Sequence, residues 1–251
     1  PLASAVAAIF VATMRSADSY AHGTLSYGFE SHGLFGQLCG MAFASLAFAS
    51  WYAASSRDGL GVGSLSPLAR GAMAVLLVGI VLRIHYPTAW VLVLVTGSAV
   101  AGGGPLRELP GRLQRFGLIG AGGGFLAAGF LVPFIRDLDG VVVVTLEHAW
   151  KLRSIGVVAV LQRLATGEYF DGVAHVPWTP LFGGALVFAA VRSFGRARSA
   201  PLACGLLTGA VVAVLLLFGR ETWGDWVDRI PVVGRFHDHR YVLGLMLLGP
   251  F

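Results

Sequence analysis

Stretches of roughly 18 to 20 residues that are almost free of charge recur along this chain, and they constrain its fold more than any other feature. A helix needs roughly 20 apolar residues to cross a hydrocarbon layer ~30 Å thick. The candidate segments are 1–14, 33–56, 68–86, 87–104, 117–134, 179–195, 200–219 and 241–251. A soluble surface must be solvated, and soluble domains carry about 25% charged residues. This chain carries 12%, with 56% apolar residues and a mean hydropathy of +0.74. The expected fold is all-α: one polytopic transmembrane helix bundle over residues 1–251, of about eight spans, in the cytoplasmic membrane. Pro1 and Phe251 both lie inside apolar runs, so the first and last spans read as truncated and the chain as an internal piece.

Segment 68–104 is too long for one span. Arg83, His85 and Pro87 interrupt it midway. Proline disfavours helix at the preceding residue, and Arg83 is costly at mid-bilayer. Two helices with a tight turn at 84–87 satisfy both constraints and leave Arg70 and Arg83 near the ends of one span, where they can snorkel.

Charge gives an independent check. With eight spans, one side holds loops 57–67, 105–116 and 196–199. That side carries Arg57, Arg70, Arg107, Arg112, Arg115, Arg192, Arg196 and Arg198 against Asp58 and Glu108. Loops 15–32, 135–178 and 220–240, with the turn at 84–86, fall on the other side. They carry every other acid and all 7 histidines. Short arginine-rich loops stay in the cytoplasm, so the mixed loops face outward. The excess of basic residues is thus a topology signal, and no nucleic-acid partner is implied. Cys39 and Cys204 lie in apolar runs and read as small hydrophobes, without metal or disulfide spacing.

The outer loops are unlike linkers. After a β-branched run at 141–144, Leu146, Trp150, Val157, Leu161 and Leu164 recur at helical spacing, with Glu147, Lys151 and Arg163 off that face. Such a helix either lies on the membrane plane or packs on the bundle. Glycines at 102–104 and 122–124 suit close helix packing better than phosphate binding.

No GxSxG, P-loop or HExxH motif occurs, so chemistry has to come from four outer clusters. Asp18 and His22, with Tyr27, Glu30 and His32, combine carboxylate and imidazole. That pairing suits a divalent cation or acid–base work, or simply a solvated loop. Arg83 and His85 form a charged turn at membrane depth, either functional or a snorkelling arginine beside a capping histidine. Glu168, Tyr169, Asp171, His175 and Trp178 fit interfacial anchoring. In the fourth cluster, Arg235 and Arg240 flank His237 and His239. Their planar guanidinium groups match phosphate oxygens. The alternative pairs them with Asp225, Asp228 and Asp238. His237 and His239 are spaced i,i+2 and cannot share one helix face, so no metal site is assigned.

Five stretches, in order, resemble bacterial multi-pass proteins of the GT-C glycosyltransferase type. The nearest group is the membrane proteins labelled 6-pyruvoyl-tetrahydropterin synthase-related; arabinofuranosyltransferase-like proteins are more distant. The stretches are YGFESHGLFGQLCGMAF, AVLLVGIVLRIHYPTAWVLVLV, FLAAGFLVPFI, GEYFDGVAHVPWTPL and RIPVVGRFHDHRYVLGL, and they are spread over most of the length of residues 20–251. The resemblance implies sugar transfer from a polyprenyl-phosphate donor at the outer membrane face. It aligns His85 with the family's histidine and Arg235 and Arg240 with its late arginines. The family's essential acid stands in a first outer loop expected upstream of this chain. Here RFHDHR replaces the aromatic and proline that relatives often show, which leaves open which arginine corresponds.

The expected protein is therefore a glycosyltransferase-like membrane protein with lipid and a lipid-linked sugar as partners. The catalytic candidates are Asp18, Glu30 and His85. Arg83, His85, Arg235, His237 and Arg240 are the candidates for lipid phosphate, and a divalent cation is an open cofactor. The rivals are a transporter or lipid flippase, which needs inverted repeats and polar groups at mid-depth, and a non-catalytic envelope assembly protein.

Overall fold

The computed structural model describes residues 35–56, 65–136, 153–166, 200–229 and 238–248, with scattered positions between 184 and 195. Among them there is no strand. The α-helices are α1 (Phe35–Ser56), α2 (Pro67–Ile84), α3 (Tyr86–Gly102), α4 (Leu109–Leu126), α5 (Ala128–Arg136), α6 (Gly156–Thr166), α7 (Pro201–Leu217), α8 (Gly219–Trp223) and α9 (Val242–Leu248). Short 3-10 turns cover Leu106–Glu108, Asp225–Arg229 and Asp238–Tyr241.

Local chemistry sets the boundaries of the central helices. Ser66 caps α2, its Oγ accepting from the Ala69 N–H at 3.2 Å, and Pro67 takes the first turn, where its missing N–H costs nothing. The long apolar segment breaks at one residue, His85, which is extended at φ −156°, ψ 96°. It ends α2 and caps α3, with Pro87 in the new first turn. The break therefore falls inside the turn expected at 84–87.

Contacts fix the helix directions. Gly40 of α1 abuts His85 and Thr88, and Tyr52 abuts Gly103, so α1 and α3 run parallel. Val75 and Val78 of α2 meet Gly122 and Gly123 of α4, and Gly79 meets Leu126, so α2 and α4 also run parallel. Trp51 stacks on Phe116 at 4.5 Å and donates to its carbonyl at 3.1 Å, while Arg115 reaches Ser55, so α1 and α4 are antiparallel. Gly205 and Gly209 of α7 lie on Ala99 and Val95 of α3, and α9 returns with Gly244 by Ala213 and Leu248 by Gly209. The bundle thus has two ends. One holds His85, the C-terminus of α7 and the N-terminus of α9. The other holds Arg112, Arg115 and the C-termini of α1 and α3.

Glycine makes the tight crossings possible. A Cβ on Gly123 would come within 2.5 Å of Val78, and one on Gly205 within 2.6 Å of the Ala99 carbonyl. Gly205 and Gly209 form a small-xxx-small stripe on which α3 rests backbone to backbone.

The count of about eight spans is not supported. Among the described residues only Pro67–Ile84 is long and apolar enough by itself, with 18 residues of mean hydropathy 1.8. Tyr86–Gly102 and Pro201–Leu217 are apolar but have 17 residues each. The expected span 117–134 is not one rod. Its helix starts earlier, at Leu109, and turns by 82° between Leu126 and Ala128. The turn sits at Ala127 (φ −90°, ψ 0°), just after the glycine run. Segment 33–56 forms a single helix from Phe35 to Ser56, which is not among the helices long and apolar enough to cross a membrane by its described residues. Segment 1–14 and most of 179–195 lie outside the described residues, and 241–251 is described only to Leu248.

Apolar side chains nevertheless cover the outside of the helices. Leu76, Leu118, Phe125, Val211 and Leu215 are all exposed, Phe125 by 82%. Isolated exposed leucines are ordinary, but faces lacking polar residues over several turns are not.

Candidate functional site

The polar groups of the bundle gather at its two ends. At the first, His85 folds back over the start of α3. Its Nδ1 accepts from the Thr88 N–H at 3.3 Å and lies 2.8 Å from Thr88 Oγ1. An Nδ1 that accepts from a backbone amide carries no proton, so the neutral ring holds its proton on Nε2. Arg83, in the last turn of α2, is exposed. The capping alternative for His85 is therefore realised in the fold, and Arg83 does not enter the packed bundle.

The same end carries a buried ion pair that the sequence analysis did not identify. Arg220 Nη1 donates to Asp238 Oδ1 at 2.8 Å, and the Arg220 backbone N–H donates to Asp238 Oδ2 at 2.8 Å. The side chains are 3% and 2% exposed. Asp238 thereby satisfies an amide at the start of α8, where the helix dipole also favours a carboxylate. Gly219 makes room for it. Its φ is +58°, and a Cβ there would collide with Asp238 and Ser154. Ser154, itself left-handed at φ +67°, donates to the Leu217 carbonyl at 2.6 Å and caps α7. Tyr241 and Trp90 pack beside the pair. Three segments separated in the sequence therefore meet here: the approach to α6, the junction of α7 and α8, and the turn before α9.

Around this node the surface is polar. Arg153 pairs with Asp225 at 3.1 Å, both half exposed or more. Trp223 donates from its indole to the Leu215 carbonyl at 2.7 Å, at the top of the exposed apolar face of α7. The expected amphipathic face on α6 is met in part. Val157 and Leu164 pack on the core as expected, joined by Val160, while Leu161 is exposed; the first turn docks on α8 where Gly156 lies by Glu221.

The opposite end is arginine-rich, and two of its arginines act on neighbouring helices. Arg112, 1% exposed, donates from Nη2 to the Gly104 and Pro105 carbonyls at 3.1 Å. Arg115 Nε donates to the Ser55 carbonyl at 2.8 Å. Each cation therefore sits at the C-terminus of another helix, α3 or α1, where the dipole favours positive charge.

Of the sequence-predicted site residues, His85 and Arg83 stand at the first end. Asp18, Glu30, Arg235 and His237 lie outside the described residues, as does the cluster at 167–178; Arg240 is described only in its backbone, within Asp238–Tyr241. Of the carboxylates expected as partners for Arg235 and Arg240, two have described partners elsewhere, and the side chains of Asp228, Arg235 and Arg240 lie outside the described residues. Asp238 holds Arg220 and Asp225 holds Arg153. Cys39 and Cys204 are free thiols, half-buried on α1 and α7. Among the described residues no three His, Cys, Asp or Glu side chains converge as a metal site. The glycines of 102–104 and 122–124 mostly serve packing: Gly122 meets Val75, Gly123 meets Val78 and Gly103 meets Tyr52, while nothing touches Gly124.

Comparison of the chain with protein-family models, with curated proteins and with solved structures finds no match.

Proposed function

We propose that this chain is the membrane-embedded core of a glycosyltransferase-like protein of the GT-C type, working on a polyprenyl-phosphate-linked sugar at the His85 end of the bundle. The observation that carries the membrane part is the bundle's exterior, where Leu76, Leu118, Phe125, Val211 and Leu215 are exposed along helices that carry exposed charge only near their ends, as at Arg83. The orientation rests on the two ends. Arg112 and Arg115 cap helices at one, and His85 with the Arg220–Asp238 pair stands at the other. Short arginine-rich loops stay cytoplasmic, which puts the His85 end outside.

The transferase part rests on the resemblance. In this reading an outer carboxylate deprotonates the acceptor hydroxyl, with Asp18 and Glu30 the candidates on this chain. Arg235 and Arg240, assisted by His237, hold the phosphate that departs with the polyprenyl chain. Fixed donors aimed at that developing charge lower the barrier by several kcal/mol. His85 stands at this end, and Arg83 supplies positive charge at the rim. The Arg220–Asp238 pair clamps the chain immediately after the segment that bears Arg235 and His237.

Transport would call for inverted repeats and polar groups at mid-depth. The buried charges described here, Arg112, Arg220 and Asp238, all lie at the ends, while Thr96 is buried midway along α3. The test is sugar transfer from a polyprenyl-linked donor by the full-length protein in vesicles, wild type beside His85→Ala and Arg235→Ala. Loss of turnover in the variants supports these roles, and unchanged turnover in both removes them.

A further inference from the structure

Helix α5 is the least conventional element of the bundle. Nine residues of helix span about 13 Å, far short of a hydrocarbon layer. Its only polar side chain is Arg136, in the last turn. Val132 and Ile135 are 64% and 62% exposed, and Phe130 and Pro133 are also exposed. The helix packs through Phe134, whose ring lies 4.7 Å from that of Tyr86, the first residue of α3. It therefore sits at the His85 end, turned 82° from α4.

We infer that α5 lies in the plane of the bilayer, at the boundary between acyl chains and headgroups of the outward leaflet, with Val132 and Ile135 inserted among lipid. This rests on the membrane reading above. A water-exposed helix would carry polar residues on its outer face, and α5 carries none before Arg136. A crossing helix would continue the direction of α4, and α5 leaves it nearly at a right angle. Apolar surface on a short, perpendicular helix is satisfied by lying along the lipid, and its one charge stands at its end. The occupant of this face is therefore phospholipid, and the helix sets the depth at which the His85 end stands relative to the membrane surface.

The test uses the whole chain with Cys39 and Cys204 replaced by alanine, spin-labelled at single cysteines and reconstituted in phosphatidylcholine–phosphatidylglycerol vesicles. Leu118→Cys, on the exposed face of α4, reports the span; Val132→Cys and Ile135→Cys report α5. Relative collision rates with oxygen and a water-soluble nickel chelate give depth. The expected result is a shallow lipid depth, the same for Val132 and Ile135, with Leu118 deeper. Water exposure at Val132 and Ile135 with Leu118 still in lipid overturns the in-plane placement and leaves the membrane reading standing. Depths that step by about 4–5 Å between Val132 and Ile135 also overturn it, since a re-entrant or crossing helix rises ~1.5 Å per residue. Leu118 in water defeats the membrane reading and the placement of α5 with it.

Discussion

Asp238 is held twice by one residue: Arg220 offers it both a guanidinium nitrogen and a backbone N–H, each at 2.8 Å, in a site closed to solvent. Removing one member of such a pair strands the other as a buried charge. Asp238→Asn is therefore expected to destabilise the fold by about 3–5 kcal/mol. The apolar double replacement Arg220→Met with Asp238→Leu should recover part of that loss, because it leaves no charge behind but takes the acceptor from the backbone N–H at position 220. Unfolding midpoints of the wild type and the two variants in one detergent check this. A double variant no more stable than Asp238→Asn would mean that the pair does more than neutralise itself.

Adjacent glycines on α4 should respond with opposite sign. Gly123 faces Val78 so closely that a methyl group would lie 2.5 Å from it, whereas nothing stands within 4 Å of a Cβ on Gly124. Gly123→Ala should destabilise by roughly 1–3 kcal/mol through overpacking. Gly124→Ala should stabilise by about 0.5–1 kcal/mol by restricting the unfolded chain. Thermal unfolding of the two variants side by side decides whether α2 and α4 meet at this register.

Much of this architecture is legible in the sequence. Proline and flanking charge announced the break between α2 and α3, and the structure puts it at His85. The Gly205–Gly209 stripe was not singled out, although its spacing is a recognised signal for close helix approach. The Arg220–Asp238 pair was not legible. Its members stand 18 positions apart, and sequence alone does not rank Asp238 above Asp225 or Asp228 as a partner. The bend at Ala127 was missed for a related reason. Hydropathy over 117–134 is continuous, and the turn is set by where glycine weakens the helix and where Phe134 finds Tyr86. Of the candidate site itself, only His85 and Arg83 can be compared with the expectation in full.

Arg112 ties the start of α4 to the end of α3 through two carbonyls. Arg112→Gln should cost about 1.5–3 kcal/mol, the range for hydrogen bonds to a charged group. Arg107→Gln, on a side chain 85% exposed, should change stability by less than about 0.5 kcal/mol. Equal effects in chemical unfolding would contradict the capping role assigned to Arg112.

His85 both caps α3 and stands at the proposed working end, and its variants separate the two roles. His85→Ala should lose about 1 kcal/mol of stability with the cap. His85→Asn should keep the cap and most of that stability. If the imidazole takes part in transfer, both variants lose turnover; if His85 only caps, His85→Asn retains it. Activity and unfolding measured on the same preparations distinguish these outcomes.

The central claim is that this bundle crosses a bilayer with its two polar ends on opposite sides. Asp225 and Arg107 mark those ends, with side chains 72% and 85% exposed. In intact cells expressing the chain without its native cysteines, an impermeant maleimide should label Asp225→Cys at once and Arg107→Cys only after the membrane is opened. Labelling of both from the same side would contradict the account.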